Sequence, residues 1–202
     1  MWGCIVMSKS SKPYFTFTIL ISLMFLVAAC SGAQSPTQAT PITGGSSEAS
    51  GSSSGSIPLW MDAELKDIRT GQTFKISDFK GKPVLMESFA VWCPICTQQQ
   101  KETKKLEAEA DNEIVSVSIN TDANEDEERV RSHITRNDFT WLYAVAPIEV
   151  TRSLIDQFSP KVVNAPLVPI ILVCPDQSTK LLPFGVKSAE RLKAEVEQGC
   201  SA

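Results

Sequence analysis

Hydrophobic and polar positions divide the chain into three stretches of different character. Tyr14–Ala29 is mostly apolar and carries no charge. Ser31–Ser56 is built from Ser, Gly, Thr, Ala and Pro, with Glu48 as its one charged residue and almost no large apolar side chain. From about Ile57 onward, apolar positions recur with the periods of strands and helices.

That third stretch reads as alternating elements. Glu64–Ile76 is a hairpin with Gly71 at its turn, and Val84–Phe89 is a buried strand after the loop Lys80–Pro83. A helix is predicted from about Pro94 to Ala110, since proline is tolerated in a first turn. Glu113–Ile119 is a strand, Asp126–Asn137 a helix, Trp141–Ala144 a short strand and Glu149–Phe158 a helix. The continuous apolar strand Ile170–Cys174 turns into Lys180–Leu182, and a helix from about Ser188 to Gln198 places Ala189, Leu192 and Val196 on one face. The pattern predicts the α/β class: a central mixed β-sheet flanked by helices, closed by an antiparallel hairpin and a helix.

Composition adds the compartment. At 202 residues and 43% hydrophobic content, the chain can bury a full core in one domain with appendages. With 19 basic against 23 acidic residues, no nucleic-acid partner is expected. Lys9 and Lys12 precede an apolar run shorter than the ~20 residues of a spanning helix, and small residues close it. The closing "LVAAC" (Leu26–Cys30) resembles a lipoprotein lipobox. That resemblance implies a signal peptide over residues 1–29 and a lipid-modified Cys30; an uncleaved anchor or an ordinary secretory signal is the alternative. Residues 30–56 would be the lipidated cysteine and a flexible tether, reaching ~30 Å on average. Residues 57–202 form the folded domain. Without residues 1–29, 17 basic residues face 23 acidic ones, so attachment would rely on lipid and not on a basic patch.

The chemistry is in "FAVWCPICTQQ" (Phe89–Gln99). Cys93 and Cys96 stand where a strand gives way to a helix, whose free N–H groups and partial positive charge stabilise a thiolate. Cys93 is therefore expected to be the exposed nucleophile, and Cys96 the thiol that resolves its mixed disulfide. A zinc site needs four ligands, but no second close cysteine pair exists and His133 is the sole histidine. No metal and no cofactor are expected.

With these residues the sequence resembles the thioredoxin superfamily, and within it the membrane-tethered, extracytoplasmic thiol–disulfide oxidoreductases of the redoxin (TlpA/ResA-like) group. The resemblance covers nearly all of Ile57–Gln198, through the opening hairpin, "ISDFKGKPVLMESFAVWCPIC", an extra strand–helix segment and "VPIILV" (Val168–Val173). It implies a thioredoxin-like fold with an N-terminal hairpin and an extra strand–helix insertion before a cis-proline. Pro169 is that proline, with Pro166 as the competing candidate, and the backbone of Val168 would pair with a substrate chain. Glu87 matches the family's buried acid, a proton acceptor for Cys96; otherwise it is a solvent-facing strand residue. Trp92 would shape the substrate surface. Some tethered relatives carry a glutamate where this chain has Gln99, so a mechanism using that acid does not transfer.

The implied function is disulfide exchange with exported proteins at the outer side of a membrane. Exported protein thiols and disulfides, an extracytoplasmic redox partner and the membrane itself are the expected partners. A peroxidase of the related group needs a threonine where Ala90 stands, and copper-delivery relatives use a longer cysteine spacing with a distal histidine. Asp122–Glu128 begins like a calcium loop, but Glu127 replaces the required glycine and His133 the terminal acid, which leaves an acidic helix start. His133 reads as a surface helix residue. In the inferred topology the last helix runs parallel to the strand ending at Cys174, which places Cys174 and Cys200 on one side, opposite the active site. They form a structural disulfide or remain two thiols.

Overall fold

The computed structural model describes residues 56–200. The signal segment, Cys30 and nearly all of the tether lie outside the described residues. A short helix α1 (Leu59–Asp62) precedes the two-stranded hairpin β1 (Leu65–Lys66) and β2 (Thr73–Phe74). Helix α1 was not anticipated from the sequence: one turn is too short to display a helical period. It buries Trp60 and Met61, and Trp60 Nε1 donates to Gln157 Oε1 at 2.7 Å. The hairpin turn is organised by buried Asp67, whose carboxylate accepts from the Arg69 and Thr70 amides and the Thr70 hydroxyl. Gly71 takes φ 76° there, a conformation that glycine adopts without a Cβ clash.

A 3₁₀ turn (Ile76–Phe79) leads to the central elements: β3 (Val84–Phe89), α2 (Pro94–Glu109), β4 (Val115–Asn120) and α3 (Glu127–Asn137). The inserted segment is β5 (Leu142–Val145) with α4 (Ile148–Phe158), followed by two 3₁₀ turns, Pro160–Val163 and Ala165–Leu167. The chain then forms β6 (Ile170–Val173), β7 (Thr179–Leu181) and α5 (Ala189–Gly199). The five-stranded sheet has the order β5-β4-β3-β6-β7, with β3, β4 and β5 parallel and β6 and β7 antiparallel to their neighbours. Among the described residues no helix is long and apolar enough to cross a membrane.

Strand alternation sorts the core into layers. Val84, Met86, Val117, Ile119, Ile171 and Val173 face α1 and α4. Leu85, Ile170 and Leu172 face the other way, packing with Leu106 of α2 and Leu192 and Val196 of α5. On that second face a third cluster joins Phe89 to Val130 and Ile134 of α3 and to Phe139, Trp141 and Tyr143. Glu87, two residues from Leu85 and Phe89, shares their face and therefore lies under the helices.

At the pole where β6 and α5 end, Cys174 and Cys200 are bonded, with Cα atoms 5.3 Å apart. Gly199 makes the approach possible: a Cβ there would meet Leu172 Cδ2 at 2.7 Å. The bridge closes a loop of sequence separation 26, which constrains the unfolded chain. Cys200→Ser is expected to lower the stability of the oxidised domain by about 3 kcal/mol. Urea unfolding without reductant measures it, and an unchanged midpoint would mean that packing alone fixes α5.

Candidate active site

Strand β3 carries the chain into the middle of the sheet, and its last turn outward delivers Ala90–Cys93 to the head of α2. Glu125 sets the course of this loop. Its buried carboxylate accepts from Val91 N at 2.6 Å and from Asn120 Nδ2 at 2.7 Å, and Arg129 Nε lies 3.1 Å away. Trp92 remains 53% exposed and is pinned by its indole N–H to Asp122 Oδ2 at 2.5 Å. Asp122 is held below the usual carboxylate range by the Asn124 amide and by Trp92.

Cys93 is the N-cap of α2: its sulfur accepts from Cys96 N at 3.2 Å, and Pro94 occupies the first helical position. Cys93 and Cys96 are joined as a disulfide, their Cα atoms 5.3 Å apart. The expectation of an exposed Cys93 is corrected: in this oxidised form each cysteine is 1% accessible. The cap geometry turns Cys93 back over the helix end, into the cluster of Phe89, Ala90 and Ala165. Cys96 Sγ lies 3.2 Å from the Ala165 carbonyl oxygen. Beside the pair runs a groove of about 270 Å³ lined by Ala90, Trp92, Thr121, Asp122, Asn164 and Ala165.

The proline opposite the pair also departs from expectation. No cis peptide bond occurs among the described residues, so the bond before Pro169 is trans. The reversal into β6 is made instead by Val168, at φ 51° and ψ 58°, a left-handed conformation seldom adopted by β-branched residues. Val168 is fully buried and its N–H donates to Ala165 O at 2.8 Å, so that donor is not free for a substrate chain. The Pro169 carbonyl accepts from Ser88 N at 3.2 Å. Pro166 is exposed, within a 3₁₀ turn.

Below the disulfide is a polar layer in an otherwise apolar core. Glu87 is 4% exposed, so the solvent-facing alternative does not hold. Its register partners are Ser118 on β4 and, one strand further, Tyr143 on β5. Ser118 Oγ donates to Glu87 Oε2 at 3.2 Å and accepts from Trp141 Nε1 at 2.9 Å. Burial pushes the Glu87 carboxyl up to about 8, against weaker opposing pulls from Gln100, Ser118 and Lys187. Burial likewise holds the Lys187 ammonium down to about 8, with Glu87 opposing it.

Three residues of this layer were not singled out as site residues from sequence. Gln99 is fully buried and grips the Lys187 backbone, accepting from its N–H at 2.7 Å and donating to its carbonyl at 3.1 Å. Gln100, also fully buried, contacts His133 Nε2 at 2.6 Å. His133 is 3% exposed, which corrects its reading as a surface residue. It stacks on Phe89 and belongs to the inward stripe Val130, His133, Ile134. The spacing i, i+3, i+4 was the available signal for it. Among the described residues no group of three or more His, Cys, Asp or Glu side chains is placed to hold a metal.

A family model described as Redoxin matches residues 53–163. The thioredoxin-like protein YneN of Bacillus subtilis is 33% identical over 81 residues, which are 40% of this chain and 47% of that protein. The chain thus spans less than half the length of that curated relative. Among solved structures, a thioredoxin-family thiol:disulfide interchange protein from Chlorobium tepidum superposes with TM-score 0.57 at 17% identity, covering 67% of this chain and 90% of its own. A secreted Mycobacterium tuberculosis disulfide oxidoreductase homologous to Escherichia coli DsbE gives TM-score 0.55 at 17% identity, covering 69% and 97%. These two likenesses establish the thioredoxin-like fold. The Redoxin match runs through the hairpin, β3, the cysteine pair and the inserted β5–α4 segment, and the chain belongs to the redoxin family.

Proposed function

We propose that the protein is an extracytoplasmic thiol–disulfide oxidoreductase that exchanges disulfides with exported proteins and is held to a membrane by lipid on Cys30. The observation that carries the activity is the Cys93–Cys96 disulfide at the head of a 16-residue helix. The compartment rests on the N-terminal sequence and on the secreted character of the M. tuberculosis protein.

In one direction, a client thiolate attacks Cys93 Sγ and the bond to Cys96 breaks. The electron pair moves to the Cys96 sulfur, which takes a proton from the Glu87 carboxyl. A second client thiolate then attacks the client sulfur of the mixed disulfide and displaces Cys93 as a thiolate, leaving a client disulfide, the Cys93 thiolate and the Cys96 thiol. In the other direction, the Cys93 thiolate attacks a client disulfide. Cys96 gives its proton to the Glu87 carboxylate and displaces the reduced client. Glu87 lies on the sheet face covered by α2, where Cys96 and Gln100 follow each other by one turn. A carboxyl with an affinity near 8 and a thiol of ordinary pKa ~8.5 exchange a proton at little cost. The groove beside Trp92 accepts the client backbone.

The N-cap position gives Cys93 the lower thiol pKa, since its sulfur receives the Cys96 N–H and faces the positive end of the helix. In the reduced protein, iodoacetamide at mildly acidic pH is expected to label Cys93 well before Cys96, as read by peptide mass spectrometry. Equal rates would sink the assignment.

Glu87→Gln is expected to slow insulin reduction and flatten its pH profile. It also tests the burial itself. The folded carboxyl keeps its proton up to about 8, whereas the unfolded one loses it near 4.5, so the folded state binds more protons between those values. Glu87 therefore costs the native state stability progressively as pH rises from about 4.5 to about 8. Glu87→Gln removes that slope, and denaturant melts of both proteins across the window measure the difference.

Mass spectrometry of the mature protein from membranes is expected to find diacylglyceryl-modified Cys30 as the N-terminal residue. A soluble product cleaved elsewhere would overturn the lipid anchor.

A further inference from the structure

The chain buries an amide and an imidazole that take no direct part in the exchange reaction. Gln100 lies one turn beyond Cys96 on the inward face of α2, with its carbonyl oxygen 2.6 Å from His133 Nε2. Asn137 Nδ2 lies 3.4 Å from His133 Nδ1, which makes Nδ1 the acceptor and Nε2–H the donor to Gln100 Oε1. This fixes the sense of the Gln100 amide. With its oxygen held by His133, the amide nitrogen is left for another partner, and both Gln100 Nε2 and Glu87 Oε1 are buried without one of regular hydrogen-bond geometry. The amide nevertheless acts on the carboxyl, favouring its ionised form.

We propose that Gln100, oriented by His133, is a positioning residue for Glu87, presenting an N–H to the carboxylate each time the acid is ionised. The proposal rests on the reading of Glu87 as the proton holder for Cys96. A protonated carboxyl has weaker need of that donor than the carboxylate has. When Cys96 passes its proton to Glu87, the carboxyl becomes neutral, the form the amide disfavours, so the site returns the proton readily. His133 keeps the amide from turning over, because a flipped amide would bring its carbonyl oxygen against the carboxylate.

The surroundings leave this pair as the adjustable contribution. Glu87 also meets Ser118 from β4, Tyr143 from β5 and Lys187 from the loop before α5. Around His133 are Arg136 on its own helix and Glu125 before it, and burial holds the imidazole below its usual range, in the neutral form the relay requires.

The experiment is ¹³C NMR titration of the Glu87 side-chain carboxyl in the oxidised protein, with Glu87→Gln assigning the resonance. In Gln100→Met, of similar volume and without a donor, the midpoint should rise by roughly one pH unit. His133→Leu, which leaves the amide unrestrained, should raise it by a smaller amount, and His133→Gln should restore it. Near-ultraviolet circular dichroism establishes which variants fold, and the two positions provide independent tests. An unmoved or lowered midpoint in folded Gln100→Met or His133→Leu overturns the proposal, as does failure of His133→Gln to restore it. Insulin reduction against pH separates the two readings. A midpoint that moves while the turnover profile does not upholds the relay and removes Glu87 from the reaction; a midpoint that does not move removes the relay whatever turnover does.

Discussion

A carboxyl group sealed inside the central strand is the constraint to which the rest of this molecule is fitted. All six residues of β3 are buried, and Glu87 sits among them, flanked by strands on both sides and covered by α2. An ionised acid in such a place is costly unless charge or hydrogen bonds answer it. The fold answers with Ser118 from β4, Gln100 from α2 and Lys187 from the loop before α5. None of the three is close to Glu87 in sequence. Tertiary packing, not local chain order, makes the acid tolerable, and the compromise leaves it near a thiol in proton affinity.

The apolar pattern was enough to place the sheet. Val84–Phe89, apolar apart from Glu87 and Ser88, and the continuous apolar strand at Ile170 are both bounded by loop residues, and Cys93 with Pro94 marks the helix start by chain chemistry alone. Elements of one turn, such as α1, escaped because a period cannot be seen in four residues. Glu87 was legible as a buried acid, whereas Gln99, Gln100 and His133 around it escaped for a different reason. Gln98, Gln99 and Gln100 are identical in type, yet Gln98 is exposed and its two neighbours are buried. Only the rotation of α2 against the sheet separates them. His133 is surrounded in sequence by Arg131, Ser132 and Thr135, which suggests a solvated face, although its spacing from Val130 and Ile134 points inward.

The segment before β6 shows where resemblance stops being a guide. The motif "VPIILV" led to a cis bond at Pro169, whereas the chain turns through a left-handed Val168 and enters β6 over a trans bond. The turn is stitched by three bonds: Val168 N–H to Ala165, Gly185 N–H to Leu167 and Ser88 N–H to Pro169. Such contacts depend on how loops from three parts of the chain meet, which a motif does not encode. The same loops bring the Ala165 carbonyl to Cys96, so the turn and the disulfide are shaped together.

Helix α5 is fastened at both ends. Its approach is held by Gln99 through the Lys187 backbone, and its far end by the bond between Cys200 and Cys174. Cys174 follows β6, β6 pairs with β3 from Val84 to Glu87, and β3 leads through the cysteine loop back into α2, where Gln99 resides. These connections form a closed frame around the redox centre, part covalent and part hydrogen-bonded. In a frame of that kind, sliding α2 as a body would strain every joint at once. Opening and closing the Cys93–Cys96 bond is thereby confined to rotations of the two side chains, since the loop from Ala90 to Trp92 is itself tied to Glu125 and Asp122.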